Sequence, residues 1–319
     1  MIFMHVTTEK VRAAIFGAAV GDAVGVPFEF NSPEEMKRRP AKDMVGGGTY
    51  HLPAGTWSDD TSMILCTLDK LDETLNYDAI MQAFLSWVND GDYSPHGDCF
   101  DIGFTTRSAL VNYARFHDVY TSGLDSSRAN GNGSLMRIIP AALYADAHDL
   151  SPQDSVALAH MLSQLTHAHM RSRIGCGIFT CIAMALLKNP DKSSVREGIE
   201  TASALYSSPE YAQEATHYAR VLSPDFADLP EADINSAGYV VSTLECAVWC
   251  LMNTENYRDC ILKAVNFGED TDTAACVAGA LAGLLYGFHG IPSKWRALLV
   301  KSEAIDAVMT GFCERNNIK

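Results

Sequence analysis

The sequence predicts an all-α protein, and three observations carry that prediction. Apolar residues recur at three- and four-residue steps in segment after segment, the period of a helix with one buried face. Runs of alternating β-branched residues, which mark strands, are almost absent. Of the 319 residues, 47 % are hydrophobic and 20 % charged. That composition can build a large core and excludes wholesale disorder.

The first helix is marked by Val11, Ile15, Ala18 and Ala19. Ile64, Leu68, Leu71 and Leu75 mark a second, and Ile80, Phe84 and Val88 a third. The same period returns over residues 155–165, 174–187, 239–252 and 274–288. The segment 274–288 is too short to span a bilayer comfortably, so a buried core helix is expected there. Its glycines and alanines, like those of 13–25, suit close helix–helix approach. Breaks rich in Gly, Pro and Asp fall at 29–54, 90–97, 122–133 and 223–231. None is a long linker, and no fixed-period repeat is visible. Length alone suggests about two domains, but composition shifts nowhere, so one helical domain over 1–319 is expected.

Asp and Glu number 39 against 24 Lys and Arg, a formal net charge of −15. This excludes a general nucleic-acid binder, which needs a basic surface, and docking on anionic lipid. An anionic small ligand stays possible, because a local field can oppose the net charge. Residues 1–10 lack a basic stretch followed by an apolar run, so no signal peptide is expected. The nine cysteines form no CxxC pair. Reduced, buried thiols in a cytoplasmic protein are expected, and a monomer, since a large helical domain buries its own core.

Five clusters carry chemistry. Gly55-Thr56-Trp57-Ser58-Asp59-Asp60-Thr61 opens an apolar helix. Ser58 or Asp59 suits an N-cap, yet two adjacent acids exceed what capping requires. Gly268-Glu269-Asp270-Thr271-Asp272-Thr273 opens another. Asp270 and Asp272 stand two apart, so they can converge only from a loop or first turn. Carboxylate and hydroxyl oxygens suit hard cations, and four Asp from two sites match a two-metal centre. Capping and metal binding both stay open at this point. In Asn130-Gly131-Asn132-Gly133-Ser134-Leu135-Met136-Arg137, Gly and Asn permit positive φ, and such a turn can cradle phosphate. It matches neither the Walker nor the Rossmann pattern. Asp101, between Phe100 and Ile102, has an apolar setting that can tune a base. Thr166-His167-Ala168-His169 lacks zinc-helix spacing and reads as a polar loop or as satisfied histidines.

Taken in order, Gly21-Asp22-Ala23-Val24-Gly25-Val26-Pro27-Phe28-Glu29-Phe30, Trp57-Ser58-Asp59-Asp60-Thr61, Phe100-Asp101-Ile102-Gly103, Asn132-Gly133-Ser134-Leu135-Met136-Arg137, Thr166-His167-Ala168-His169, Gly238-Tyr239-Val240-Val241 and Gly268-Glu269-Asp270-Thr271-Asp272-Thr273 closely resemble the ADP-ribosylglycohydrolase family. Each motif alone is weak; seven in order are specific. The resemblance runs from about Val11 to Tyr286.

The resemblance implies an all-α orthogonal bundle. It implies removal of ADP-ribose from modified proteins or small acceptors, using two divalent cations, Mg²⁺ or Mn²⁺. The family's metal ligands fall on Ser58, Asp59, Asp60, Asp270, Asp272 and Thr273. Ser58 stands where Thr is common in the family, and both offer a hydroxyl oxygen. Gly131, Asn132, Gly133, Ser134 and Met136 fall on the diphosphate and ribose loop, and His167 lies near the phosphates. Asp101 is the first choice as base and Glu29 the second. The pattern looks nearer the bacterial arginine-specific branch, so the implied substrate is an ADP-ribosylated protein modified on arginine. The family context implies either reversal of regulatory modification or immunity to a cognate ADP-ribosyltransferase toxin. Two readings of other classes stay open: a protein that occludes such a toxin, and a phosphoesterase. Products separate the last, because glycosidic cleavage yields free ADP-ribose and phosphoester cleavage yields AMP.

Overall fold

A computed structural model describes residues 6–319. Residues 1–5, part of the segment expected to hold no signal peptide, lie outside them. Fifteen α-helices form among the described residues: α1 Thr8–Gly25, α2 Pro33–Arg38, α3 Asp59–Lys70, α4 Tyr77–Asp90, α5 Phe104–Phe116, α6 Ile139–Ala147, α7 Pro152–Gln164 and α8 Met170–Lys188, then α9 Lys192–Tyr206, α10 Ala212–Ala215, α11 Val240–Met252, α12 Tyr257–Val265, α13 Thr271–Tyr286, α14 Ser293–Leu298 and α15 Ser302–Arg315. No strand forms among them, only three single-pair bridges. The all-α expectation holds.

Local chemistry explains the ends. Thr7, Ser32, Ser58, Asn76, Ser151, Asp191 and Asn256 each cap a helix N-terminus by accepting a backbone N–H. Two boundaries depart from the periodic reading. α3 ends at Lys70, and Leu75 lies in the following turn with φ 46°. α13 stops at Tyr286 because Gly287 takes φ 74°. The break at 29–54 contains the short helix α2, held by a capping box between Ser32 and Glu35.

The centre is the pair α1 and α13, which make the most extensive helix–helix contact. They run antiparallel, with Ala13 against Gly283, Gly17 against Gly279, Gly21 against Ala275 and Gly25 against Asp272. A Cβ at Gly21 would lie 2.1 Å from the Ala275 carbonyl oxygen, and one at Gly25 would lie 2.3 Å from Asp272 Cα. The glycines therefore serve packing, as their spacing suggested. The apolar core runs without interruption from α1 to α15. The stretches Thr8–Phe28 and Met170–Lys188 are long and apolar enough to cross a membrane, but 89 % and 78 % of an 18-residue apolar window in each is buried inside the protein.

The candidate active site

The α1–α13 contact decides where the acids meet. It sets the C-terminal end of α1, and Glu29 just beyond it, beside the first turn of α13. A second tie locks these loops: Phe30 N–H donates to Glu269 O and Glu269 N–H to Asn31 O, each at 2.7 Å. Gly268 sits between with φ 84°, and a Cβ there would lie 2.7 Å from Asn31 O. Only glycine fits this turn.

α3 is brought in by a buried acid of α1. The Asp22 carboxylate accepts Ser58 N–H at 2.9 Å, Thr61 N–H at 3.1 Å and the Thr61 hydroxyl at 2.6 Å. Burial nevertheless pushes its pKa up to about 7, against the pull of those bonds. Asp22 thus ties the start of α3 to α1. A lone Asp inside an Ala/Gly/Val helix is the only sequence signal for this role.

The two acidic motifs then join. Thr273 Oγ1 donates to Asp60 Oδ2 at 3.2 Å, and Ser58 Oγ donates to the same oxygen at 3.2 Å. Ser58 caps α3, as expected. Asp270 occupies the N-cap position of α13 but makes no side-chain cap bond. Its Oδ2 instead accepts from Asn132 Nδ2 at 2.9 Å, so capping does not explain it. Asp272 follows in the first turn. Glu29, Asp101 and Asp272 complete the group, with one oxygen of each within 4.8 Å of the others.

Four buried carboxylate oxygens in this group have no hydrogen-bond partner among the described residues: Glu29 Oε2, Asp60 Oδ1, Asp270 Oδ1 and Asp272 Oδ2. Buried acceptors without donors are costly, and a divalent cation is the partner that hard oxygen sets of this kind take. The cluster can bind metal. Without one, burial and then mutual repulsion raise the Asp59, Asp60 and Asp272 carboxyls well above the usual range. Glu29 rises to about 9, through burial first and the Asp101 charge second.

The cluster borders a cleft of about 270 Å³. Glu29, Asp59, Asp101, Asp270 and Thr273 line it together with Gly131, Asn132, Gly133, Met136 and His167. Ser58, Asp60 and Asp272 are buried and do not line it. A larger cleft of about 630 Å³ under the 39–48 loop, lined by Arg38, Arg39 and Gly48, holds none of these groups.

The loop after Asn130 departs from its expected conformation. Gly131, Asn132 and Gly133 do not take positive φ. The Asn132 N–H is engaged by Gly238 O at 3.2 Å, and Val240 N–H bonds Asn130 O at 3.1 Å, so the segment pairs with 238–240. Gly133 is small for another reason: a Cβ there would lie 3.0 Å from His167 Cε1. The Ser134 side chain is fully buried and its hydroxyl pairs with Ser163 Oγ at 2.9 Å, away from the cleft. Asn132 Nδ2 also donates to Thr243 Oγ1 at 2.9 Å. Of the two histidines, His167 lines the cleft, whereas His169 caps α8.

Asp101 has φ 63°, a strained backbone for a non-glycine residue. The Tyr50 hydroxyl donates to its Oδ1 at 2.6 Å, and the Tyr50 ring stands edge-on to Phe100 with centroids 5.3 Å apart. Tyr50 lies in a segment read only as a break, where nothing marked it. Phe30 and Phe104 stand exposed at the cleft mouth.

The ADP-ribosylglycohydrolase family model matches residues 4–317. The chain is 33 % identical over 313 residues to the ADP-ribosylarginine hydrolase Tri1 of Pseudomonas putida, covering 96 % of this chain and 78 % of that protein. It is 30 % identical over 295 residues to the ADP-ribosyl-[dinitrogen reductase] glycohydrolase of Rhodospirillum rubrum, covering 91 % and 90 %. A solved structure titled ADP-ribosylglycohydrolase-related protein complex superposes with a TM-score of 0.79 at 27 % identity, covering 97 % of this chain and 98 % of that one. The chain belongs to the ADP-ribosylglycohydrolase family and is a hydrolase of that class.

Proposed function

We propose that this enzyme hydrolyses the N-glycosidic bond of ADP-ribosyl-arginine on modified proteins, using two divalent cations, Mg²⁺ or Mn²⁺. The observation that carries this reading is a group of partnerless buried carboxylate oxygens beside a cleft that His167 also lines. An ADP-ribosyl group uses both, a cation-assisted contact for its distal ribose and a donor for its diphosphate. The two relatives named ADP-ribosylarginine hydrolase, at 32 % and 33 % identity, support arginine as the acceptor. The exposed Phe30 and Phe104 offer apolar contact to a protein-borne acceptor. Nine free cysteines, eight of them buried, suit a reducing cytoplasmic setting.

Ser58, Asp59, Asp60, Asp270, Asp272 and Thr273 would hold the cations. Bound there, they would supply positive charge to the ribose hydroxyls and to the attacking water. Asp101 lines the cleft with one oxygen held by Tyr50, and it takes a proton from that water. The water oxygen bonds the anomeric carbon as the carbon–nitrogen bond breaks, through oxocarbenium-like charge. The proton ends on the departing guanidine. Glu29 is the second candidate for base.

The test is incubation with arginine-, serine- and O-acetyl-linked ADP-ribose, with and without Mg²⁺ or Mn²⁺. Free ADP-ribose from the arginine substrate is expected. It should be lost in Asp101→Asn and Asp60→Ala proteins that keep wild-type helicity. AMP as product indicates phosphoester cleavage instead, and no release from any substrate removes the hydrolase reading.

A further inference from the structure

Arg137 is a full charge at 0 % exposure. Its guanidinium lies 4.9 Å above the Phe84 ring. Nη2 donates to Leu162 O at 3.0 Å and to Thr166 Oγ1 at 2.8 Å, while Nε and Nη1 have no partner. Burying a charge this poorly paired is expensive, which asks what it does.

A guanidinium only donates. Thr166 Oγ1 therefore accepts from Arg137, and its own proton must go elsewhere. The acceptor within reach is His167 Nδ1 at 2.9 Å. Nδ1 must then carry a lone pair, and a neutral imidazole carries its proton on Nε2. The rest of His167 is clamped. Its N–H donates to Ser163 O at 2.8 Å, and its carbonyl accepts from Ser163 Oγ at 3.0 Å. Nε2 bonds no protein group and faces Gly131 and Gly133, whose missing Cβ atoms leave that edge open to the cleft. Burial, with the Arg137 charge second, pushes the imidazole pKa down to about 3, so the ring stays neutral.

We propose that Arg137 and Thr166 form a buried relay that holds His167 as the neutral Nε2–H tautomer, a fixed hydrogen-bond donor to an anionic oxygen in the cleft. The relay stands on geometry alone; the identity of the anion as ADP-ribose rests on the proposed function. Arg137 and Thr166 are positioning residues. The opposite tautomer would present a lone pair to the anion and repel it.

Long-range ¹⁵N–¹H spectra of the full-length, ligand-free chain read the tautomer, with His167 identified by the signal missing from His167→Gln. A bare Nδ1 and a protonated Nε2 are expected in the wild type and in Thr166→Ser. Calorimetry with ADP-ribose should show Thr166→Val weakened about ten-fold or more, the loss of one hydrogen bond to a charged group, and Thr166→Ser close to wild type. Thermal unfolding controls for stability, which the valine also lowers by leaving Arg137 Nη2 one acceptor short. A proton on Nδ1 in the wild type overturns the proposal, as does a Thr166→Val protein that binds like wild type. A wild-type protein with the expected tautomer but no ADP-ribose affinity keeps the relay and overturns the identity of the anion.

Discussion

Replacing Gly21 with alanine tests the α1–α13 contact on which the site depends. The new Cβ would lie 2.1 Å from the Ala275 carbonyl oxygen, 1.3 Å short of ordinary contact at 3.4 Å. The obstacle is backbone, so no side chain can swing aside; the helices must part. Overpacking of this kind costs about 1–3 kcal/mol, and a helical alanine recovers about 0.5–1 kcal/mol of it. A net loss of about 1.3 kcal/mol is expected. At roughly 2.1 cal/mol/K per residue, a chain of this length loses about 2 °C in Tm. The control is Gly311→Ala in α15, where the nearest atom is Arg315 Nη1, the tip of a flexible side chain, at 3.0 Å. There the same substitution should raise Tm by about 1 °C. Circular dichroism at 222 nm reads both. Equal shifts in the two proteins would refute the close-contact reasoning, because helix propensity alone would then account for both.

Three further outcomes follow from the acidic cluster. Glu29, Asp60 and Asp272 keep their protons above the usual range in the cation-free protein, whereas in the unfolded chain they ionise near pH ~4. The contribution of these carboxyls to cation-free stability is therefore full below about pH 4 and is lost as pH rises toward the folded pKa, about 9 for Glu29. Mn²⁺ should raise Tm more at about pH 8 than at about pH 5, and equal gains would exclude these carboxylates as its ligands. Asp60→Asn removes a carboxyl that the cation-free fold must keep protonated, so cation-free Tm at about pH 8 should rise while the gain on adding Mn²⁺ shrinks; differential scanning calorimetry measures both. Asp22→Ala strips the acceptor from Ser58 N–H and both Thr61 donors. It should cost about 2–4 kcal/mol and weaken Mn²⁺ binding in titration calorimetry, and unchanged Mn²⁺ affinity would show that Asp22 does not position α3.

The acidic motifs were legible because adjacent and near-adjacent Asp at the mouth of an apolar helix exceed what a cap uses. The structure makes that excess concrete in Asp270, which sits at a cap position and caps nothing. The helical fold was legible from its period. Leu75 fits that period yet falls outside α3, because one more apolar residue at the right step does not prevent a turn. Other parts of the site depend on partners far along the chain, which spacing does not encode. Asp22 has meaning only with α3 beside it, Tyr50 only with Asp101 and Arg137 only with Thr166. The Gly131–Gly133 loop misled for a related reason. Gly133 answers to the His167 ring rather than to its own φ.

The antiparallel seating of α1 on α13 also sets a timetable for synthesis. The first helix to be made has its principal partner among the last. At roughly 5–20 residues per second, α1 waits about 10–50 s for α13 to leave the ribosome, with its apolar faces in want of cover. Such distant pairing makes for slow folding and for exposure to aggregation. It also means that a chain cut short before Asp270 lacks both Asp270 and Asp272, so the chemistry of the cleft can begin only once α13 has been made.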